Sequence, residues 1–377
     1  MTLPARLIQS VRPQASPGVM AGAAVVAATF AATPFLLPEI SARLSIDIGL
    51  TGLLSTAQVG SFGLAAFFAG RLLRPRRRYH YGALGLVALA TAGSVFAPNF
   101  PILLGTRVVA GLGMGTLTWI AWADATRFPR GMGDVAAVAP VTAAIASPLI
   151  AGIIQTGGFR WVFVSLSVLP LLATLLPVDF GVLPRIGRRV SGSRSNRMLL
   201  TALFILSVGG SSVFIFSGAT AETVQGLSPV TISWALSLNA ITGVIATRQQ
   251  TRRGWAWFWI LATATAALTI GTVASAALFF MAMALWGFAF WMAVPAVLRL
   301  LAERSLNPSE RMGDAQASMA AGRVFGPLVG GFVLGAGSFA ALSAVGALVM
   351  AVSAAVVGGV EAHRGREAGP PETETSG

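Results

Sequence analysis

The sequence predicts an all-α membrane protein with twelve transmembrane helices in two pseudo-symmetric six-helix bundles. Three observations predict it. Apolar runs of about 20 residues, the length a helix needs to cross a bilayer, recur along the whole chain. Arginines crowd alternate loops and avoid the others. A short Pro/Gly signature occurs twice, 179 residues apart.

Composition sets the class. Of the 377 residues, 55% are hydrophobic and 10% charged, and the mean hydropathy is +0.76; soluble domains carry about a quarter charged residues. Apolar windows bounded by charge, Gly or Pro fall at 18–38, 50–70, 80–97, 101–122, 134–156, 161–181, 199–218, 228–246, 255–274, 277–300, 314–335 and 337–359. No soluble domain is left over. The first run follows Arg6 and Arg12; it is longer than a signal-peptide core and is read as a retained first helix.

All 26 basic residues are Arg. The termini and the even-numbered loops hold 22 of them, including "RPRRR" at Arg74 to Arg78, "RRVSGSRSNR" at Arg188 to Arg197 and "TRQQTRR" at Thr247 to Arg253. The odd loops hold only Arg43 and Arg160. This is the positive-inside asymmetry, so both termini and the even loops are expected in the cytoplasm of a multi-pass protein of the plasma (cell inner) membrane. Placed in this way, the +13 net charge is no signal for nucleic acid. Trp255, Trp257 and Trp259 are expected to form an interfacial belt.

"SPLIAG" (Ser147 to Gly152) in the fifth run matches "GPLVGG" (Gly326 to Gly331) in the eleventh. Pro148 thus pairs with Pro327 and Gly152 with Gly331, next to Gly330. The expected organisation is a six-helix bundle over 1–182, a basic cytoplasmic linker over 183–198, a second bundle over 199–360 and a disordered tail over 361–377. Parallel repeats of this kind characterise secondary transporters whose site lies near the midplane between halves.

Further residues carry a resemblance to the major facilitator superfamily over nearly the whole chain. "RVVAGLGMG" (Arg107 to Gly115) resembles the family's R-x-x-x-G-x-G-x-G pattern in the fourth span and includes Gly111 and Gly115. "GGFRWVF" (Gly157 to Phe163) is similar to its short outer loop, and "LLPEI" (Leu36 to Ile40) to the end of the first span in efflux members. The loop after the second span departs: "GRLLRPRRR" keeps Gly70, Arg74 and Arg77, but has Arg74 where the family's gating motif has Asp. The first span also lacks the acid that several proton-driven efflux groups carry there.

An ionisable residue at membrane depth is a functional hypothesis by default. Glu39, Asp124, Asp179 and Asp314 fall near span ends and the other acids in loops or tail, so no proton carrier is evident. Two arginines lie well inside spans. Arg107 shares a helix face with Gly111, Met114 and Thr118, and Arg323 shares one with Gln316, Met319 and Gly330. Each has two readings, a structural cation bonding helix carbonyls or a cation that meets the cargo. The remaining substrate-contact candidates are Thr29, Thr33, Gln58, Ser211, Asn239, Trp286 and Phe290. The resemblance implies a cavity lined by spans one, four, seven and ten, which favours Thr33, Thr118, Ser211 and Trp286. Helix-to-helix glue is the alternative for each.

Other chemistry finds no support. Cysteine is absent and His80 and His363 are the only histidines, so neither a nucleophile–base pair nor a metal cluster is available. No phosphate-cradling motif occurs. The expectation is a secondary transporter, not an enzyme, without cofactor or metal, acting as a monomer on a small molecule with a proton or sodium ion as coupling ion. Efflux of an amphipathic or hydrophobic compound leads. Transport of a small organic or inorganic anion through Arg107 and Arg323 is the alternative, and a non-transporting membrane sensor or assembly partner the third.

Overall fold

A computed structural model of the chain describes residues 16–125, 127, 131–180, 194–249, 255–304 and 308–367. The described residues form fourteen helices and no strand: α1 (Pro17–Ala31), α2 (Thr33–Leu44), α3 (Ile48–Leu72), α4 (Arg77–Val95), α5 (Phe100–Ala125), α6 (Gly131–Gly157), α7 (Phe159–Ala173), α8 (Arg194–Phe214), α9 (Ser217–Val224), α10 (Pro229–Arg248), α11 (Ala256–Thr272), α12 (Ala276–Glu303), α13 (Pro308–Ala336) and α14 (Phe339–Glu367). In hydrocarbon every backbone polar group must be satisfied within the segment, which leaves helices as the solution for such apolar runs. Eight helices (α3, α5, α6, α8, α10, α12, α13, α14) are each long and apolar enough to cross a bilayer, and α1 with α2 makes a ninth, bent by 46°. With α4, α7 and α11, of 19, 15 and 17 residues, the order is consistent with the twelve predicted spans.

The first span is broken, and the seventh is followed after two residues by a short helix. Pro34 has no N–H, and its ring clashes with the carbonyl one turn back, so the helix stops at Ala31 and restarts at Thr33. In the second half, α8 ends at Phe214 and α9 resumes at Ser217. The two breaks meet: Gly218 of α9 lies so close to the Pro34 carbonyl that no side chain fits between.

The halves are joined along two pseudo-symmetric helix pairs, α3 with α13 and α6 with α10. Each pair carries one hydroxyl-to-carbonyl bond, from Thr56 to Val324 at 3.3 Å and from Ser237 to Ala144 at 2.8 Å. On the first pair the closest approach lies at one end. Gly49 meets Gly331 backbone to backbone, and a Cβ on Gly52 would stand 2.9 Å from the Pro327 carbonyl oxygen. Further along α3, Gly60 meets only Val324 at 3.8 Å, and Gly63 has nothing within 4 Å. Phe67 beyond it is exposed. The halves therefore close at the end of the α2–α3 turn and part toward the end that carries Arg74 and the start of α13.

Several boundaries shift. Span one runs on to Leu44, and span six stops at Ala173, short of the expected 181, where the chain turns through 174–176. Helix α13 begins at Pro308, before Asp314, which places Arg323 at its midpoint. Helix α8 starts at Arg194, so 194–198 of the expected linker are helical, and α14 takes in 361–367 of the expected tail. The remaining tail, 368–377, and most of the linker, 183–193, lie outside the described residues, as do Arg6, Arg12 and residues 250–253 of the "TRQQTRR" loop. His80, expected in a basic loop, is buried on α4. Glu222, expected in a loop, is on α9.

Candidate functional site

Thr29, Thr33, Gln58 and Arg107, singled out separately in the sequence, line one small pocket at the α1–α2 break. Leu36, Leu37, Ile40, Leu54, Ser55 and Phe163 complete it, with room for about one or two water molecules. Thr29 itself donates to the Val25 carbonyl at 2.8 Å. Arg107 is buried, and its guanidinium spans three neighbouring helices. It donates to Gln58 Oε1 of α3 at 3.5 Å, to the Ala90 carbonyl of α4 at 3.4 Å and to Ser94 Oγ. Its Cζ lies 4.7 Å from the centre of the Phe163 ring of α7. Carbonyl, amide and hydroxyl dipoles and a ring face here solvate a cation that no carboxylate meets among the described residues.

The glycines of the same motif let these helices approach. Any side chain at Gly111 would strike Ser61 Oγ and the Gln58 carbonyl of α3, and one at Gly115 would strike the Phe62 carbonyl. Gly326 and Gly330 do the same for α13, against Ser211 and the Ser212 carbonyl of α8. Gly152 does not: nothing stands within 4 Å of its would-be Cβ. Pro148 and Pro327 are interior to α6 and α13. Gly70 lies 3.4 Å, measured from a would-be Cβ, from Trp119 Nε1, and Arg74 and Arg77 are exposed at the α3–α4 link.

In the second half the predicted polar groups are committed to helix contacts. Asn239 Nδ2 donates to the Met283 carbonyl at 2.9 Å, and Ser211 Oγ to the Ser207 carbonyl at 2.6 Å. Trp286 is buried against Phe214, with ring centres 5.6 Å apart. Phe290 is half-buried one turn on. Thr118 is half-buried on α5, about 16 Å along the helix from Arg107, so it is not brought to the same pocket.

Arg323 stands apart from all of these. At 100° per residue, the α13 positions that meet α8 (Gly322, Gly326, Gly330) and those that meet α3 (Val324, Pro327, Gly331) flank the direction in which Arg323 points. The opposite face carries the exposed Phe325, Leu328 and Phe332 and is the lipid side. Arg323 therefore faces the interior between the halves. Its side chain is exposed there, as is that of Gln316 on the same face, while Pro327, Gly330 and Leu334 toward the closed end are buried. Among the described residues Arg323 has neither a hydrogen-bond partner nor an ion pair. Asp314, nine residues back, lies on the other side of the helix.

The sequence reading missed Phe163 and Ser94 as partners of Arg107. Phe163 sat inside a motif already noted; Ser94 had no signal, since it is one of many serines in apolar runs. It also missed Glu222. That carboxyl is half-buried on α9 near Glu39, and Glu39 in turn pairs with Arg43 at 3.2 Å.

The comparisons agree with this architecture. The model of the Major Facilitator Superfamily matches residues 19–319. The chain is 26% identical over 349 residues to a chloramphenicol resistance protein of Streptomyces lividans, covering 83% of this chain and 88% of that protein. It is 36% identical over 110 residues to a multidrug resistance protein B homolog of Mycobacterium tuberculosis, which is 26% of this chain and 20% of that one. Among solved structures, a bacterial homolog of the human lysosomal transporter Spinster, in an inward-facing and occupied conformation, superposes with a TM-score of 0.68 at 14% identity, over 92% of this chain and 94% of that one. The chain belongs to the Major Facilitator Superfamily of membrane transporters.

Proposed function

We propose that the protein exports an amphipathic small molecule by alternating access between its two halves. The observation that carries this reading is the one-ended opening: the halves touch at the α2–α3 end and part around Arg323 toward the Arg-rich end. The arginine distribution supports a cytoplasmic open end, which is where an exporter loads its cargo. The walls of the opening come from long apolar helices with few polar groups, which suits a largely hydrophobic cargo. The names of the relatives, chloramphenicol and multidrug resistance proteins, support the outward direction. The transporter acts as a monomer, and a proton or sodium gradient drives it.

Expression in a drug-sensitive host lacking its own exporters tests the reading. Steady-state accumulation of amphipathic compounds, chloramphenicol among them, is expected to fall for at least one compound and to recover when the membrane potential and proton gradient are collapsed. Unchanged accumulation across a broad panel, with the protein present in the membrane, would overturn it.

A further inference from the structure

We propose that the cargo carries an acidic group and that Arg323 is the residue that receives it, Arg107 being a structural cation of the first half. This rests on the export reading and names the polar part of the exported molecule. The two arginines were equivalent in sequence. The structure separates them.

Arg107 is occupied. Gln58, Ser94, the Ala90 carbonyl and the Phe163 ring surround it within one half, and the pocket beside it has room for little more than water. Arg323 sits at the level where α3 and α13 begin to part, one residue from the Val324 carbonyl that holds them together. It points into the opening, its neighbours above are closed off and its neighbour below, Gln316, is exposed to the same space. It is densely surrounded by protein, yet its side chain is accessible.

Among the described residues no carboxylate pairs with it. The described acids of the closed end are Glu39, Asp47 and Glu222, and those toward the open end include Asp124, which pairs with Arg127 at 2.7 Å, and Asp314 on the far face of α13. A cation at mid-helix depth that is exposed between the halves without a counter-charge among the described residues selects for anions among the molecules that enter. Its planar fork suits a carboxylate, sulfonate or phosphate oxygen pair. The adjoining apolar helix faces would take the hydrophobic remainder of the cargo.

The chain has no cysteine, so Gln316→Cys gives a single thiol in the opening. Full-length protein in lipid vesicles is labelled with an anionic and a cationic methanethiosulfonate of matched size, with Arg, Gln or Lys at 323. Replacing Arg323 with Gln should slow the anionic reagent and speed the cationic one, each about twofold for a unit charge about 10 Å away in water; Arg323→Lys should behave like the native residue. 4-Phenylbutyrate should protect the thiol in the Arg and Lys forms but not in the Gln form, and 4-phenylbutyramide should protect in none. The proposal is overturned if the Gln form keeps the reagent preference, if the acid gives no protection in the native form, or if acid and amide protect alike. Intact labelling results with no cellular export would remove the export reading and leave the anion site. Intact export without the charge preference would do the reverse.

Discussion

The Thr56 hydroxyl donates to the main-chain carbonyl of Val324 at 3.3 Å, and this bond joins α3 to α13 where the two helices begin to diverge. Its counterpart joins Ser237 to Ala144; the donors are 181 residues apart and the acceptors 180, close to the spacing of Pro148 and Pro327. The pair marks a fulcrum on both sides of the interface. Single replacements by Thr56→Val or Ser237→Ala should each cost only about 0.6 kcal/mol of stability. The double variant should slow transport severalfold with little change in thermal stability. Transport at the native rate in the double variant would remove the fulcrum role.

Gly111 and Gly152 separate close packing from mere smallness. Gly111→Ala forces a methyl onto Ser61 and the Gln58 carbonyl and should destabilise by about 1–3 kcal/mol. Gly152→Ala enters open space and should leave the melting temperature within error or raise it slightly, since alanine favours helix. Equal melting temperatures for the two variants would show that the α3–α5 approach relaxes freely.

Arg107 should behave as a structural residue. Arg107→Ala leaves Gln58 and Ser94 without their buried partner, a loss of about 1–3 kcal/mol, read as a lower yield of folded protein and a lower melting temperature. Arg107→Lys should recover part of it. Cargo selectivity should not change in whatever folds, and a shift in selectivity with unchanged stability would place Arg107 at the cargo instead.

How much of this was legible in the sequence depended on what each feature requires. Span order and the repeat follow from runs of apolar residues and a recurring Pro/Gly signature, which are one-dimensional patterns. The break at Ala32 was foreshadowed by Pro34, whereas that at Phe214 has no proline to announce it. Arg107 and Arg323 were found from sequence but looked alike. Their difference lies in partners 13 to 56 residues away on other helices, Ser94, Gln58 and Phe163, and in which side of α13 meets α3 and α8. Glu222 was passed over because nothing in "ATAETV" shows that α9 folds back against α2.

Glu222 makes the closed end sensitive to pH. Burial, and then the Glu39 carboxylate, push its carboxyl up to about 7. Arg43 and Glu39 are the charged groups on α2 there; α10 and α11, which also pack on α9, have none at that end. Exposed to water in an opened end, the carboxyl returns toward about 4.3. The closed arrangement thus holds the proton more tightly, so its stabilisation is complete below about 4.3 and is lost as pH rises through about 7. Spin labels across the closed end, at Ser45→Cys and Ser338→Cys, should report more opening at pH 8 than at pH 5, and Glu222→Gln should flatten the profile. The same pH dependence in the Gln variant would assign it elsewhere.

In the proposed export cycle the closed end must open while the other closes. A Cβ on Gly335 would stand 3.5 Å from the Asp47 carboxylate oxygen, so Asp47→Cys with Gly335→Cys places two thiols across that end of a chain with no others. Oxidation should stop export in vesicles, and reduction should restore it. Export at the uncross-linked rate by fully cross-linked protein would contradict alternating access through this end.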